Sequence, residues 1–365
     1  MRVLVLCKRQ YTGKDLLDDR YGRLFELPVA LAARGASVAV VATSYRTRGA
    51  LVREERGVRW RSVDALPWLP LITKMQHSEA LAWRPNVIWA SSDALHLVAG
   101  VRLAKRLGVP VILDLYDDYE AFGLTRSPGL RGALRRACSQ AQALTAVSQS
   151  LADVLPGRGK VPPVIEVVCN GVPNDFAPVV QQTEARRMLG LPASGRLIGT
   201  AGALYASRGI ADLFDAFRRL HARDSELRLV VAGPRSHSVA KAIPQGAFDL
   251  GLLPHAQMPL LMRALDVGVV CNRDTAFGRS CHPQKLVEMV SCSLPFVAAE
   301  VGEAARLLSD EADKLYPPGD GAALAGRIAS QLSDPRPAKM SLARTWDSIA
   351  EQLERALEAT LYASH

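Results

Sequence analysis

Aromatic residues fill only 6% of the 365 positions, and the six cysteines, at 7, 138, 169, 271, 281 and 292, form no C-x-x-C pair. That spacing indicates neither a disulfide framework nor a zinc site, so the thiols read as reduced and mainly structural. No stretch approaches the roughly 18 apolar residues of a membrane span. The opening MRVLVLCKRQY has too few apolar residues before Lys8 and Arg9 for a signal peptide, and the expected location is the cytoplasm. No G-x-G-x-x-G follows a strand-like run, which weighs against a nicotinamide or flavin cofactor. The lack of G-x-x-x-x-G-K-[ST] weighs against a P-loop nucleotidase. Sparse aromatics, with no helix-turn-helix, zinc-finger or aromatic-rich RNA motif, weigh against nucleic acid as a partner.

What is present is ordinary for a globular protein, 48% hydrophobic and 22% charged, long enough for two domains with a core each. The net charge of +9 is uneven. Residues 1–170 hold 24 of the 45 Lys and Arg and 15 of the 36 Asp and Glu, so the remainder is balanced. A basic first half suits an anionic lipid surface or an acidic acceptor, and equally a solvated face.

Short β-branched runs alternate with amphipathic stretches. RVLVL (2–6), SVAVVAT (37–43), NVIWAS (86–91), PVILDL (110–115), ALTAV (143–147) and VIEVV (164–168) predict buried parallel strands, with helices near 23–34, 94–107 and 129–141. The pattern restarts with RLIGTAG (196–202), LRLVVAG (227–233), AFDLGLL (247–253), DVGVVC (266–271), LPFVAA (294–299) and DKLYP (313–317). Helices are expected there around 208–222, 256–264, 283–292 and 320–333. The fold class is therefore α/β, two doubly wound Rossmann-like domains facing across a cleft, joined near NGVPNDFAPVV (170–180). The boundaries follow: 1–170 for the first domain, 171–340 for the second, and a last helix, 341–362, within a segment 341–365 that packs back on the first.

PQKLVEMVSCSLP (283–295) reads as a short apolar helix that carries Lys285 and Glu288 on one face. Pro283 suits the first helical position, and the free amides near His282 attract anions. At ~1.5 Å rise per residue the two charges lie about 4.5 Å apart along the axis, a spacing that fits a diphosphate at the helix start and a ribose one turn further in. An ionised glutamate accepts both vicinal hydroxyls of a ribose. A surface Lys/Glu pair worth roughly 0.2–0.5 kcal/mol explains the isolated helix as well. GTAGALYASRGIADLFDAF (199–217) is a strand, a small-residue turn and a helix. Gly202 lets backbone come close to a ligand there, and Arg208 stands at the next helix terminus. Two such stations in one domain look like a diphosphate clamp.

Over most of its length the sequence resembles family 4 glycosyltransferases of the GT-B fold. SCHPQKLVEMVSCSLPFVAAEVGEAARLL resembles the donor signature P-x-K-L-x-E-Y-M-A-x-G-x-P-V-V. AGALYASRGIADLFDAF resembles the G-x-L-x-x-x-K-G turn, CNGVPNDFAP the N-G-V-D-x-x-x-F-x-P hinge, and YPPGDGAALAGRI the P-G-D-x-x-x-L-A element. The resemblance implies a retaining transferase that moves a sugar from a nucleoside-diphosphate sugar, with UDP or GDP as the carrier, to an acceptor hydroxyl. It implies Glu288, second acid of the family's E-x7-E pair, on the ribose, Lys285 in its usual place, and Arg208 where a lysine binds the diphosphate. Gly22 fits the first-domain glycine loop near the phosphates. Ser280 takes the first acid's place, Ala203 that of an arginine, Ser293 that of a glycine, and Tyr116, beside Asp117, that of a histidine.

No Asp-x-Asp occurs, so no metal and no further cofactor is expected, the helix ends and the cations Arg208 and Lys285 serving instead. Asp117 and Asp118 follow a strand; they orient the acceptor or the transferred sugar, or cap a turn. His282 contacts sugar or phosphate, or only caps its loop. The expected partners are the nucleotide-sugar donor and an acceptor glycan, lipid-linked sugar or small molecule. Arg131, Arg135 and Arg136 in RGALRRACSQ add a peripheral contact with anionic membrane, or a solvated helix. Other readings are an epimerase or phosphorylase of the same fold, and a nucleotide-sugar-binding protein without transfer; K-L-x-E together with N-G-V favours transfer.

Overall fold

The computed structural model describes residues 1–11, 14–65, 78–121 and 123–362. It divides into two compact units, unit 1 from Met1–Asn170 and Thr345–His365, unit 2 from Gly171–Arg344. In unit 1 the described residues form β1 (Arg2–Lys8), a short antiparallel pair β2 (Gln10–Tyr11) and β3 (Lys14–Asp15), β4 (Ser37–Ser44), β5 (Leu51–Glu55), β6 (Val58–Asp64), β7 (Val87–Ala90), β8 (Val111–Leu115), β9 (Ala143–Ala146) and β10 (Ile165–Val167). The main sheet runs β10-β9-β8-β7-β1-β4-β6-β5. Its pairs are parallel except β5 with β6.

That hairpin was not expected from the sequence. LVREERGVRWRSVD is charged rather than β-branched throughout, and it forms an edge, where charge discourages further pairing. Its turn is Arg56-Gly57, both at positive φ (50° and 75°), the geometry of a tight two-residue hairpin. The helices Arg23–Ala33, Ala94–Leu107 and Pro128–Gln140 lie where the apolar period put them. The last helix begins at Trp346, five residues later than expected, after a single turn at Met340–Leu342. Trp346, Ile349, Leu353 and Leu357 pack in the core that holds Leu24, Phe25, Leu27 and Leu31 of the first helix, and Arg34 pairs with Glu354 at 2.6 Å.

Unit 2 contains β11 (Leu197–Ala201), β12 (Arg228–Ala232), β13 (Phe248–Asp249), β14 (Val267–Val270), β15 (Phe296–Ala299) and β16 (Leu315–Tyr316), all parallel, in the order β13-β12-β11-β14-β15-β16. The runs at 247–253 and 313–317 contribute two paired residues each, so these edge strands are shorter than expected. Sheet order reverses between β11 and β14, the switch point beside which such sheets bind ligands at their carboxyl ends. Helix Gln284–Ser291 lies over β14, and Gly268 permits it, since a Cβ there would stand 2.6 Å from Met289 Sδ. Among the described residues no helix is long and apolar enough to cross a membrane.

The P-G-D element resolves into a brace. Asp320 caps helix Gly321–Ser333 by accepting from Ala323 N at 2.8 Å, and Asp212, buried in the first turn of Ile210–His221, accepts from Gly319 N at 2.9 Å.

Candidate active site

The loops at the switch point of unit 2 assemble most of the residues the sequence singles out. After β11 comes Gly202, then a turn Ala206–Arg208, then Gly209 at φ 75°, after which helix Ile210–His221 begins; Arg208 thus stands just before that helix, as the sequence placed it. After β14 come Asn272, Arg273 and the helix Ala276–Ser280, capped by Thr275, which accepts from Gly278 N at 3.1 Å. Arg273 Nε donates to Ala206 O at 3.0 Å and ties the two loops together.

The Arg208 guanidinium lies over the Phe277 ring, its central carbon 3.4 Å from the centroid, a cation–π contact that fixes where the charge sits. Lys285 reaches the same place from its helix. Gly202, at φ 94°, leaves room for it: a Cβ there would stand 2.9 Å from Lys285 Cε. The open face of Gly202 is thus filled by a lysine, where the sequence suggested a ligand. Burial holds the Lys285 ammonium below its usual range, and the nearby Arg208 charge pushes the same way against the opposing pull of Cys271 and Glu288. The Cys271 thiol is pushed up to about 11 by burial. Among the described residues Lys285 has no ion pair, and the Arg208 charge lies close enough to act on it, so two cations converge at this point.

Lys285 and Glu288 do not form the surface pair that an isolated helix would allow. Glu288 is buried, at 6% exposure, and turns away to accept from His255 Nε2 at 3.1 Å and Gln284 Nε2 at 3.3 Å. Pro283 is the residue before the helix, which starts at Gln284. Ser280, buried, ends Ala276–Ser280, and half-buried His282 lies between the two helices.

Phe277, His255 and Gln284 escaped the sequence reading. An aromatic before a glycine was a weak sign for Phe277, but His255 stands 33 residues from its partner with no periodic signal.

Gly22 and Asp117 belong to unit 1. Gly22, at φ 84°, precedes helix Arg23–Ala33. Arg23, fully buried, donates to Asp114 Oδ1 (2.8 Å), to Val168 O (2.9 Å) and to Asn170 Oδ1 (3.1 Å). Asp114 also accepts from Thr145 Oγ1 and Ser91 Oγ, both at 2.6 Å. Asp117 Oδ1 accepts from Asp118 N at 2.8 Å. Asp118 is the structural acid of that turn, buried and doubly bonded to Arg158 at 2.5 and 2.8 Å.

Two doubly wound α/β units of this topology make the fold GT-B, and solved structures agree. The Anabaena HepE protein in complex with UDP superposes with a TM-score of 0.77 at 18% identity, over 98% of this chain and 100% of that one. The same protein in complex with UDP-glucose gives 0.75 at 18%, over 98% and 100%. Sucrose-phosphate synthase from Thermosynechococcus elongatus gives 0.75 at 18%, over 99% and 96%. At such identities the likeness shows the fold alone. The family is shown by sequence: the model for Glycosyltransferase Family 4 matches residues 23–176, and the model for Glycosyl transferases group 1 matches residues 195–334. A 2-deoxystreptamine N-acetyl-D-glucosaminyltransferase of Streptomyces fradiae is 24% identical over 320 residues, covering 80% of this chain and 74% of the relative. The chain belongs to the family 4 glycosyltransferases and is a transferase enzyme.

Proposed function

We propose that this glycosyltransferase takes its sugar from a nucleoside-diphosphate sugar, with uridine or guanosine as the base, and transfers it to an acceptor hydroxyl with retention of configuration. The observation that carries this reading is the convergence of two cations, Arg208 and Lys285, at the switch point of unit 2. A pyrophosphate is an anion that such a pair of cations can hold. Glu288 then accepts from the ribose hydroxyls, Gly202 serves by making room for Lys285, and Ser280 and His282 line the approach. As the glycosidic bond breaks, negative charge grows on the phosphate and positive charge on the sugar ring. The two cations are already in place to stabilise the former. In a retaining transfer the departing phosphate takes the acceptor's proton, so no separate base is needed. Gly22 and Asp117 are assigned to the acceptor-binding unit. The relative from Streptomyces fradiae and the HepE complexes support a nucleotide-sugar donor and a hydroxylated small molecule among the acceptors.

The reaction as proposed needs no metal, because protein cations take the leaving group's charge. Purified enzyme given a panel of UDP- and GDP-sugars should release nucleoside diphosphate only with an acceptor present, at rates that EDTA leaves unchanged. Release that stops with EDTA and returns with magnesium defeats metal independence; no release with any donor defeats the donor assignment.

A peripheral membrane contact through helix Pro128–Gln140 is part of the same proposal. Arg136 is exposed there, whereas Arg135 is paired with Glu120 at 2.7 Å and Arg131 donates to Thr125 O at 3.3 Å. Each free cation near an anionic surface contributes about 1 kcal/mol. Co-sedimentation should therefore be stronger with anionic than with neutral vesicles and weaken about fivefold in Arg136→Ala. Equal pelleting with both vesicle types removes the contact.

A further inference from the structure

Glu288 is held by one oxygen. Both of its hydrogen bonds among the described residues fall on Oε1, from His255 and from Gln284, and Oε2 receives none. Each donor is itself anchored. The Gln284 amide also donates to the Gly171 carbonyl at 3.0 Å, and the His255 ring is stacked on Phe176, centroids 5.4 Å apart and 30° between planes. Phe176 is 5% exposed, and its amide donates to Pro173 O at 3.0 Å, so the ring rests on a closed turn. Gly171 and Phe176 lie in the stretch by which the chain enters unit 2.

A glutamate has three rotatable bonds, and a carboxylate left to turn spreads its lone pairs over many directions. Two donors converging on one oxygen remove that freedom before a ligand arrives, which lowers the ordering cost at binding. We propose that His255 and Gln284 are positioning residues that clamp Oε1 of Glu288 to the entry segment 171–176 and so present Oε2 to a ribose diol. The inference rests on the donor reading above. It also assigns a task to part of the N-G-V hinge sequence: Gly171 supplies an acceptor and Phe176 a platform, and both act through another side chain.

Calorimetric titration with UDP and GDP, each beside its 2′,3′-dideoxy counterpart, tests it. The wild type should prefer the ribose form by about 10- to 100-fold, the worth of hydrogen bonds to a charged group. Glu288→Gln should lose most of that preference. His255→Ala and Gln284→Leu should each reduce it about fivefold or more while dideoxy affinity stays constant. His255→Gln, whose amide can donate to Oε1, should restore it. A residue that mattered only for folding would weaken both nucleotides alike. Preference unchanged in His255→Ala and Gln284→Leu, with Glu288→Gln impaired, overturns the positioning role and leaves the donor reading standing. Preference retained in Glu288→Gln, or no binding of either nucleotide by the wild type, overturns the donor reading itself.

Discussion

Arg208→Ala is expected to lower kcat/KM for transfer about 10²- to 10³-fold, roughly 3–4 kcal/mol of transition-state stabilisation. The guanidinium is held over Phe277, so on the proposed reading its loss removes an interaction that strengthens as the phosphate charge grows. Arg208→Lys should recover only part, because an ammonium is a point charge without the planar face that stacks on the ring. Initial rates for the three proteins decide the matter, and near-wild-type activity in Arg208→Ala removes Arg208 from the site. The same pair of cations sets an alkaline limit. Lys285 titrates below its usual 10.5, chiefly through burial and then through Arg208. On the proposed donor reading a diphosphate binds the protonated form, so donor affinity should fall as pH rises through that lowered value, and the limb should move upward in Arg208→Ala. Fold stability responds with the opposite sign. Between the lowered value and the unfolded one the unfolded chain binds more protons, so this lysine's contribution to stability rises with pH.

Asp114→Ala should destabilise unit 1 by about 3–5 kcal/mol, because it strands a fully buried Arg23 without its counter-ion. In a unit of this size each kcal/mol shifts the midpoint by roughly 2–4 °C, so thermal unfolding should drop on the order of 10 °C. The loss comes from the unpaired charge more than from the pair's net worth. The double variant Arg23→Met, Asp114→Leu should therefore be more stable than Asp114→Ala alone. A double variant no better than the single one would show that the hydrogen bonds from Ser91 and Thr145 to Asp114, and from Arg23 to Asn170, and not the charges, hold this corner.

Strands buried on both faces were legible, because a central parallel strand is an unbroken apolar run: β1, β4, β8, β11 and β12 differ from expectation by two residues or fewer at either end. The hairpin of β5 and β6 was not, since at an edge one face meets water and the run reads as charged. The helix Gln182–Met188, QTEARRM, escaped for a like reason, its buried Arg186 being a cation that donates to Ala264 O at 2.9 Å and pairs with Asp266 at 2.8 Å. At the site, Lys285, Glu288 and Arg208 stood out because helix spacing and a glycine turn are local signals. Their partners did not. Whether Lys285 turns toward Glu288 or toward Gly202 depends on β11, some 80 residues away in sequence, and no local pattern records it.

Unit 2 is a single uninterrupted length of chain set into unit 1, and the amide of Val172 donates to the carbonyl of Arg344 at 3.0 Å. Departure and return are thus stitched side by side. A block running from Gly171 to Arg344 has neighbouring ends, which is what a transplantable cassette requires. Swapping that cassette between related enzymes would exchange one half's chemistry through a single seam, with the framework on the other side keeping both of its own chain pieces.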